Sequence, residues 1–280
     1  MSPIQYISEQ KKDSAKACHK MAEDLYHAIQ TNELQLVFQP ILDQQKQVVT
    51  VEALLRWKHP GISSPEQIIQ LAEAHGLMSS LGEWILSQAC LHVKRLQENG
   101  LPDLNLNVNI SPSQFSDYQF VSKVSRILSR TGLEPEKLEL EITENLNMLE
   151  NSNITHQLTQ LTQLGIGIAV DDYGTGYSSL HYIYKFPINR IKIDKSFVMN
   201  LQPNDQRGKI ILKSIIDLAS DLGLEVVAEG VETEKQYQFL KSESCHLFQG
   251  YYFYKPLSIE DFLELAGSFN EDLAQEEYNG

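Results

Sequence analysis

The sequence predicts an α/β protein: a single TIM-like (β/α)8 barrel with one antiparallel strand near the N-terminus. Three observations lead there: eight strand-like runs, helix-patterned segments between most of them, and one connection too short for a parallel crossover. Eight strands alternating with helices in roughly 250 residues fit closure as a barrel, with the function at the carboxyl ends of the strands.

The elements follow in order. Leu34–Ile41 and Val48–Trp57 come first, and only Leu42–Gln47 separates them, so they are expected to pair antiparallel. Pro65–Asn99 then carries apolar residues at helical spacing (Ile68, Ile69, Leu71, Ala72, then Trp84, Ile85, Leu91, Leu96). Leu104–Ser111 is the third strand, and Ser113–Arg130 reads as a helix ended by Thr131-Gly132. Lys137–Thr143 precedes the helix Ile154–Leu164, and Gly165–Asp172 precedes a shorter helical candidate, Tyr177–Tyr184. Arg190–Asp194, Glu225–Val231 and Phe248–Tyr254 complete the strands, each followed by a helical pattern: Asp205–Leu222, Thr233–Lys241 and Ser258–Ala266. No linker rich in Pro, Gly or Ser divides the chain, and no internal repeat is visible. The expected organisation is one domain over residues 25–266, an N-terminal extension over 1–24 and an acidic tail over 267–280.

Composition narrows the function. A hydrophobic content of 42% suffices for a core, and the formal charge of −14 argues against a nucleic-acid polymer as partner. A small phosphate ligand stays possible, because acids that bind cations can present a locally positive face. No apolar run approaches the roughly 20 residues of a membrane helix, so no membrane insertion is expected. Met1–Lys20 is too polar for a secretory signal. Cys18, Cys90 and Cys245 are scattered and odd in number, which fits free thiols in a reducing cytoplasm.

Six apolar runs carry a polar residue where a buried strand would hold another Val or Ile: Glu52, Asn109, Glu141, Asp171 with Asp172, Lys192 and Glu229. Strand side chains alternate between faces. Asn105, Asn107, Asn109 and Ser111 therefore oppose Leu104, Leu106, Val108 and Ile110. Glu139, Glu141 and Thr143 oppose Leu138, Leu140 and Ile142. Lys192 sits with Asp194, and Glu52 with Arg56. In a barrel the apolar face packs on helices, which turns the polar set inward near one mouth. The alternative is an open sheet with one solvated face, which so many intervening helices disfavour.

Glu52, Asn109, Glu141, Asp171, Asp172 and Glu229 form an all-oxygen ligand set suited to Mg²⁺ or Mn²⁺. None of the eight histidines stands in a metal-binding pattern. Converging acids raise one another's pKa values unless cations join them. Asp171-Asp172 could bridge two metals roughly 3.5–4 Å apart, the separation used in two-metal phosphate-ester hydrolysis. Lys192 could orient the attacking water or remove its proton, or it could simply be a counter-ion. Asp171-Asp172-Tyr173-Gly174-Thr175-Gly176 reads either as a functional loop or as a plain turn with two glycines.

Taken together, these segments closely resemble the EAL-domain family, the cyclic di-GMP phosphodiesterases. The resemblance runs from about Leu25 to Ala266 in eight ordered segments: Phe38-Gln39-Pro40-Ile41, Glu52-Ala53-Leu54-Leu55-Arg56-Trp57, Asn107-Val108-Asn109-Ile110-Ser111, Glu139-Leu140-Glu141-Ile142-Thr143-Glu144, the Asp171–Gly176 loop, Ile191-Lys192-Ile193-Asp194, Ala228-Glu229-Gly230-Val231-Glu232-Thr233 and Gln249-Gly250-Tyr251. Departures are few: Tyr173 stands where Phe is common, and Tyr254 where a small residue is usual.

The resemblance implies that Glu52, Asn109, Glu141 and Asp171 bind one metal, while Asp171, Asp172 and Glu229 hold a second. It implies that Lys192 contacts the attacking water, and that Gln39 and Arg56 contact substrate, Arg56 through a phosphate. Glu144 would pin the Asp171–Gly176 loop, and Gln249 would support the site. The implied reaction opens one phosphodiester of cyclic di-GMP to linear pGpG with two Mg²⁺ or Mn²⁺ ions, in a homodimer. The competing readings are a cyclic di-GMP receptor that binds without cutting, and a barrel hydrolase of another small phosphate ester.

Overall fold

The computed structural model describes residues 3–143, 152–175, 179–201 and 206–266. Eight strands close a barrel in sequence order: β1 (Gln35–Leu42), β2 (Val48–Arg56), β3 (Asn105–Ile110), β4 (Leu138–Thr143), β5 (Gly167–Tyr173), β6 (Arg190–Ile193), β7 (Glu225–Ala228) and β8 (Leu247–Phe248). β1 runs antiparallel to both β2 and β8, and all other neighbours are parallel. The reversed strand follows from the short connection: the Asp43 carboxylate accepts from the backbone N–H groups of Gln45 and Gln47, each at 2.8 Å, and Lys46 takes a left-handed φ of 63°. That turn leaves no room for a crossover helix.

The apolar strand face packs outward as expected. Leu106, Val108, Leu140, Ile142, Ile168, Val170, Ile191, Ile193 and Val226 are buried against the helices. The opposite face is polar inside the barrel, where Thr50, Asn107, Glu139, Glu141 and Lys192 are buried. Room for the glutamates comes from β5, where register sets Gly167 beside Glu139 and Ala169 beside Glu141. A Cβ added to Gly167 would lie 3.3 Å from the Glu139 side chain.

Several boundaries differ from the sequence reading, each for a local reason. Pro65–Asn99 is two helices, Pro65–Ala74 and Met78–Glu98, broken at Gly76 with φ 69°. Ser113–Arg130 divides into a 3₁₀ turn, Pro112–Ser116, and a helix, Phe120–Thr131, ended by left-handed Gly132. A short helix not expected from the sequence, Lys195–Met199, follows β6 and is capped by the Asp194 carboxylate. At the N-terminus a continuous helix, Pro3–Thr31, buries Ala22, Leu25, Ala28 and Ile29, so it runs through the residue 24/25 position. The expected tail over 267–280 lies outside the described residues.

The final strand is shorter than Phe248–Tyr254 because the chain turns at Gly250, whose carbonyl accepts from Phe253 and Tyr254 N–H at 3.1 Å each. Gly250 is pressed against the Val231 backbone, and a Cβ there would collide with the Val231 nitrogen and carbonyl. This contact sets the position of the preceding Gln249. Gly250→Ala is expected to cost about 1–3 kcal/mol, the range for overpacking, read as a lower denaturant midpoint. An unchanged midpoint would show that the two backbones do not meet.

Candidate active site

The site lies at the carboxyl ends of the strands, with Lys192 at its floor. Lys192 is fully buried. Its Nζ lies 2.7 Å from Glu229 Oε1, 2.8 Å from Glu141 Oε2, 3.1 Å from Asp171 Oδ1 and 3.3 Å from Glu52 Oε2. Strands β2, β4, β5 and β6 and the segment after β7 thus each send one charge to a single point. Glu52 is further gripped at both oxygens: Asn109 Nδ2 donates to Oε1 at 2.7 Å and Gln249 Nε2 donates to Oε2 at 2.8 Å. Glu141 and Lys192 form the buried floor, while Asn109 and Asp172 are exposed at the rim.

Adjacent Asp171 and Asp172 would ordinarily point to opposite faces of a strand. Here the β5–β6 register shifts between Val170 and Tyr173, and Asp172 adopts a left-handed φ of 53°. Such an irregularity re-aims a side chain, and aspartate tolerates the left-handed region better than most residues. Among the described residues, carboxylate oxygens of Asp171, Asp172 and Glu229 consequently lie within 4.8 Å of one another.

The remaining sequence candidates are placed around this centre. Gln39 stands opposite Glu52 in the β1–β2 register, half-buried on the same face. Arg56 ends β2 four residues beyond Glu52, half-buried, its Nη1 donating to the Leu55 carbonyl at 2.8 Å. Glu144 and Gly176 lie outside the described residues.

Sequence reasoning assigned no role to Asn107, Glu139, Arg190 and Asp194, which the structure joins to the site. Asn107 Nδ2 donates to Glu141 Oε1 at 2.7 Å and to Glu139 Oε1 at 3.0 Å. Arg190 Nη1 donates to Glu139 Oε1 at 2.7 Å. Asp194 stands near enough to Asp172 to help raise its pKa. The signal was present: Asn107, Glu139 and Arg190, like Asp194 beside Lys192, fall on the inward face by strand alternation.

The donor set fits divalent cations. Glu52, Glu141, Asp171, Asp172 and Glu229 together with Lys192 leave four negative charges when all are ionised, the charge of two divalent ions. Every carboxylate donor is a hard oxygen. Among the described residues, Asp171 Oδ1 is buried and accepts no aligned hydrogen bond, although Lys192 stands 3.1 Å away. An acceptor left so is costly without a further electropositive partner.

Residues 22–256 match the EAL domain family. The chain belongs to that family. The chain is 38% identical to cyclic di-GMP phosphodiesterase NbdA of Pseudomonas aeruginosa over 273 residues, 96% of this chain and 35% of that protein. It is 39% identical to the bifunctional diguanylate cyclase/cyclic di-GMP phosphodiesterase MucR of the same organism, over 87% of this chain and 36% of that protein. The chain thus spans about a third of the length of these curated relatives. Among solved structures, EAL enzyme Bd1971 in its cAMP- and cyclic-di-GMP-bound form is similar with a TM-score of 0.84 and 32% identity, covering 92% of this chain and 71% of that one. The PaMucR phosphodiesterase complex with c-di-GMP is similar with a TM-score of 0.80 and 38% identity, covering 87% and 99%.

Electrostatics in the EAL barrel follow from burial. Burial works against the Lys192 charge, but the carboxylates, Asp171 foremost, outweigh it and hold the ammonium well above its usual range. Burial raises Glu141 well above the usual carboxylate range, with Glu52 adding to it. Glu52 goes the other way: burial pushes it up, but Lys192 and the amides of Gln249 and Asn109 bring it below its ordinary value. Burial, with Asp171 and Glu52 beside it, lifts Glu229 from 4.5 to about 8. Burial, with Asp171 and Asp194 beside it, lifts Asp172 from 3.8 to about 6.

Between those values the folded chain keeps protons that the unfolded chain has released, so stability falls as pH rises. In the presence of a chelator, Tm is therefore expected to decline from about pH 5 to about pH 8. Adding Mn²⁺ should flatten that slope, because a cation replaces the protons. A chelated protein whose Tm climbs across this window would contradict the assignment.

Proposed function

We propose that this EAL domain hydrolyses one phosphodiester of cyclic di-GMP to linear pGpG, with two divalent cations, Mg²⁺ or Mn²⁺, held by its acidic mouth. The observation that carries this reading is the convergence of Glu52, Glu141, Asp171 and Glu229 on Lys192, with Asp172 beside them. Membership of a family whose relatives include named cyclic di-GMP phosphodiesterases, and similarity to a c-di-GMP complex, support the substrate.

Glu52, Asn109, Glu141 and Asp171 would hold one cation, and Asp171, Asp172 and Glu229 the other. When bound, such a pair lowers the pKa of a water and neutralises charge on the phosphoryl oxygens. Lys192, fixed by its carboxylates, directs an N–H at the attacking water and keeps its own proton, since its charge is favoured at neutral pH. Arg56 and Gln39 offer donors from the rim, the planar guanidinium of Arg56 suiting a phosphate. Gln249 keeps Glu52 oriented, and Glu144 would pin the Asp171–Gly176 loop. Overall, a water oxygen joins phosphorus, one P–O3′ bond breaks, and the leaving oxygen is protonated.

This reading assigns catalysis to residues 25–266, with 1–24 and 267–280 as extensions, in a cytoplasmic protein. It includes a homodimer, supported by exposed Leu180 and Tyr184 on the helix Ser179–Lys185, close in sequence to the Asp172–Gly176 loop. No described helix is long and apolar enough to cross a membrane.

The deciding experiment incubates the purified chain with Mn²⁺ or Mg²⁺ and cyclic di-GMP and separates the products by chromatography. Linear pGpG is expected, whereas saturable binding without any linear product would establish a receptor instead. Glu52→Ala removes a ligand and should lower turnover by about 10²–10³-fold, several kcal/mol of transition-state stabilisation. Leu224→Ala, at a buried apolar position, should cost about 2–4 kcal/mol of stability and leave turnover intact. Wild-type turnover in Glu52→Ala would refute the ligand assignment.

A further inference from the structure

We infer that Asn107 and Glu139 are positioning residues for Glu141, and that through it they set the affinity of the barrel mouth for divalent cations. This rests on the metal-binding reading above and goes beyond it. Asn107 is fully buried and on the inward face of β3, two residues below Asn109. Its amide is a fork, one N–H on Glu141 Oε1 at 2.7 Å and one on Glu139 Oε1 at 3.0 Å. Glu141 offers its other oxygen, Oε2, to Lys192 at 2.8 Å. The two oxygens are thus divided between β3 and β6. The terminal torsion of a glutamate is broad and soft, so a hydrogen bond that holds one oxygen fixes the plane of the whole carboxylate.

Asn107 is itself kept in place by what lies beneath it. A carboxylate as buried as Glu139 needs a partner, and Arg190 supplies one at 2.7 Å. Arg190 is anchored in turn at the amino-terminal end of the strands, donating to Glu225 Oε2 from Nη2 at 2.7 Å and from Nε at 3.2 Å. Glu225, Arg190, Glu139, Asn107 and Glu141 therefore form one polar column, drawn from β7, β6, β4, β3 and β4, up the inside of the barrel. Asn107 and Glu139 are too buried to meet a substrate, so any effect they have on the chemistry passes through Glu141. Hydrogen-bond partners of metal-ligating side chains typically matter by about 10–100-fold in metal affinity or activity.

The test titrates Mn²⁺ into wild-type protein, Asn107→Leu and Glu139→Gln by calorimetry, with circular dichroism to establish folding and steady-state kinetics alongside. Asn107→Leu keeps the branched heavy-atom skeleton and removes the fork. Its Mn²⁺ dissociation constant is expected to rise about tenfold or more, with activity recovered by excess Mn²⁺ and KM for cyclic di-GMP unchanged at saturating metal. Glu139→Gln keeps the shape and loses the charge that steadies Asn107, and a severalfold rise is expected. A purely structural role would lower Tm without moving the Mn²⁺ constant, and folded variants that bind Mn²⁺ as wild type overturn the proposal. Should Asn107→Leu fail to fold, Glu139→Gln decides by the same measure. Wild-type protein that binds no Mn²⁺ would instead remove the metal reading, and this inference with it.

Discussion

One buried ammonium organises this molecule. Four carboxylates from separate segments of the barrel could not face each other inside it without a compensating charge, because burial and mutual repulsion both oppose their ionisation. Lys192 sits within 3.3 Å of all four. The result is still acid-rich: burial leaves Glu141 and Glu229 raised even beside the lysine. Buried carboxylates this numerous around a single ammonium are what the proposed divalent-cation site would draw on.

The apolar scaffold and the polar interior are made by the same alternation. Each strand that sends Ile, Leu or Val to the helices sends a polar residue to the interior, so the acidic centre is inseparable from the core that holds it. Space is made by small neighbours, with Gly167 and Ala169 lying beside Glu139 and Glu141. The irregularity in β5 is the departure that the proposed two-cation site needs. Regular pleating would split Asp171 from Asp172, and the left-handed turn at Asp172 brings both toward Glu229.

Much of this was legible in the sequence. Alternation over Leu104–Ser111 and Leu138–Thr143 correctly divided core from interior, and the short Leu42–Gln47 connection correctly gave the reversed strand. The reading slipped where a contact far along the chain, or a single left-handed residue, decides. Gly250 ends the last strand because the Val231 backbone lies against it, and helical spacing over Pro65–Asn99 cannot reveal the break that left-handed Gly76 makes. Alternation placed Asp194 on the face of Lys192, but not beside Asp172, whose pKa it helps to raise.

By itself the sequence determined which residues face inward, their hard-oxygen chemistry and the barrel that gathers them, since strand period and loop length are local properties. Tertiary structure alone decided how the charges are shared: that Lys192 meets four carboxylates, that Glu52 is held at both oxygens by Asn109 and Gln249, and that Asn107 bridges Glu139 to Glu141. Those pairings depend on strand register and barrel closure, which bring residues up to 197 positions apart within hydrogen-bond reach.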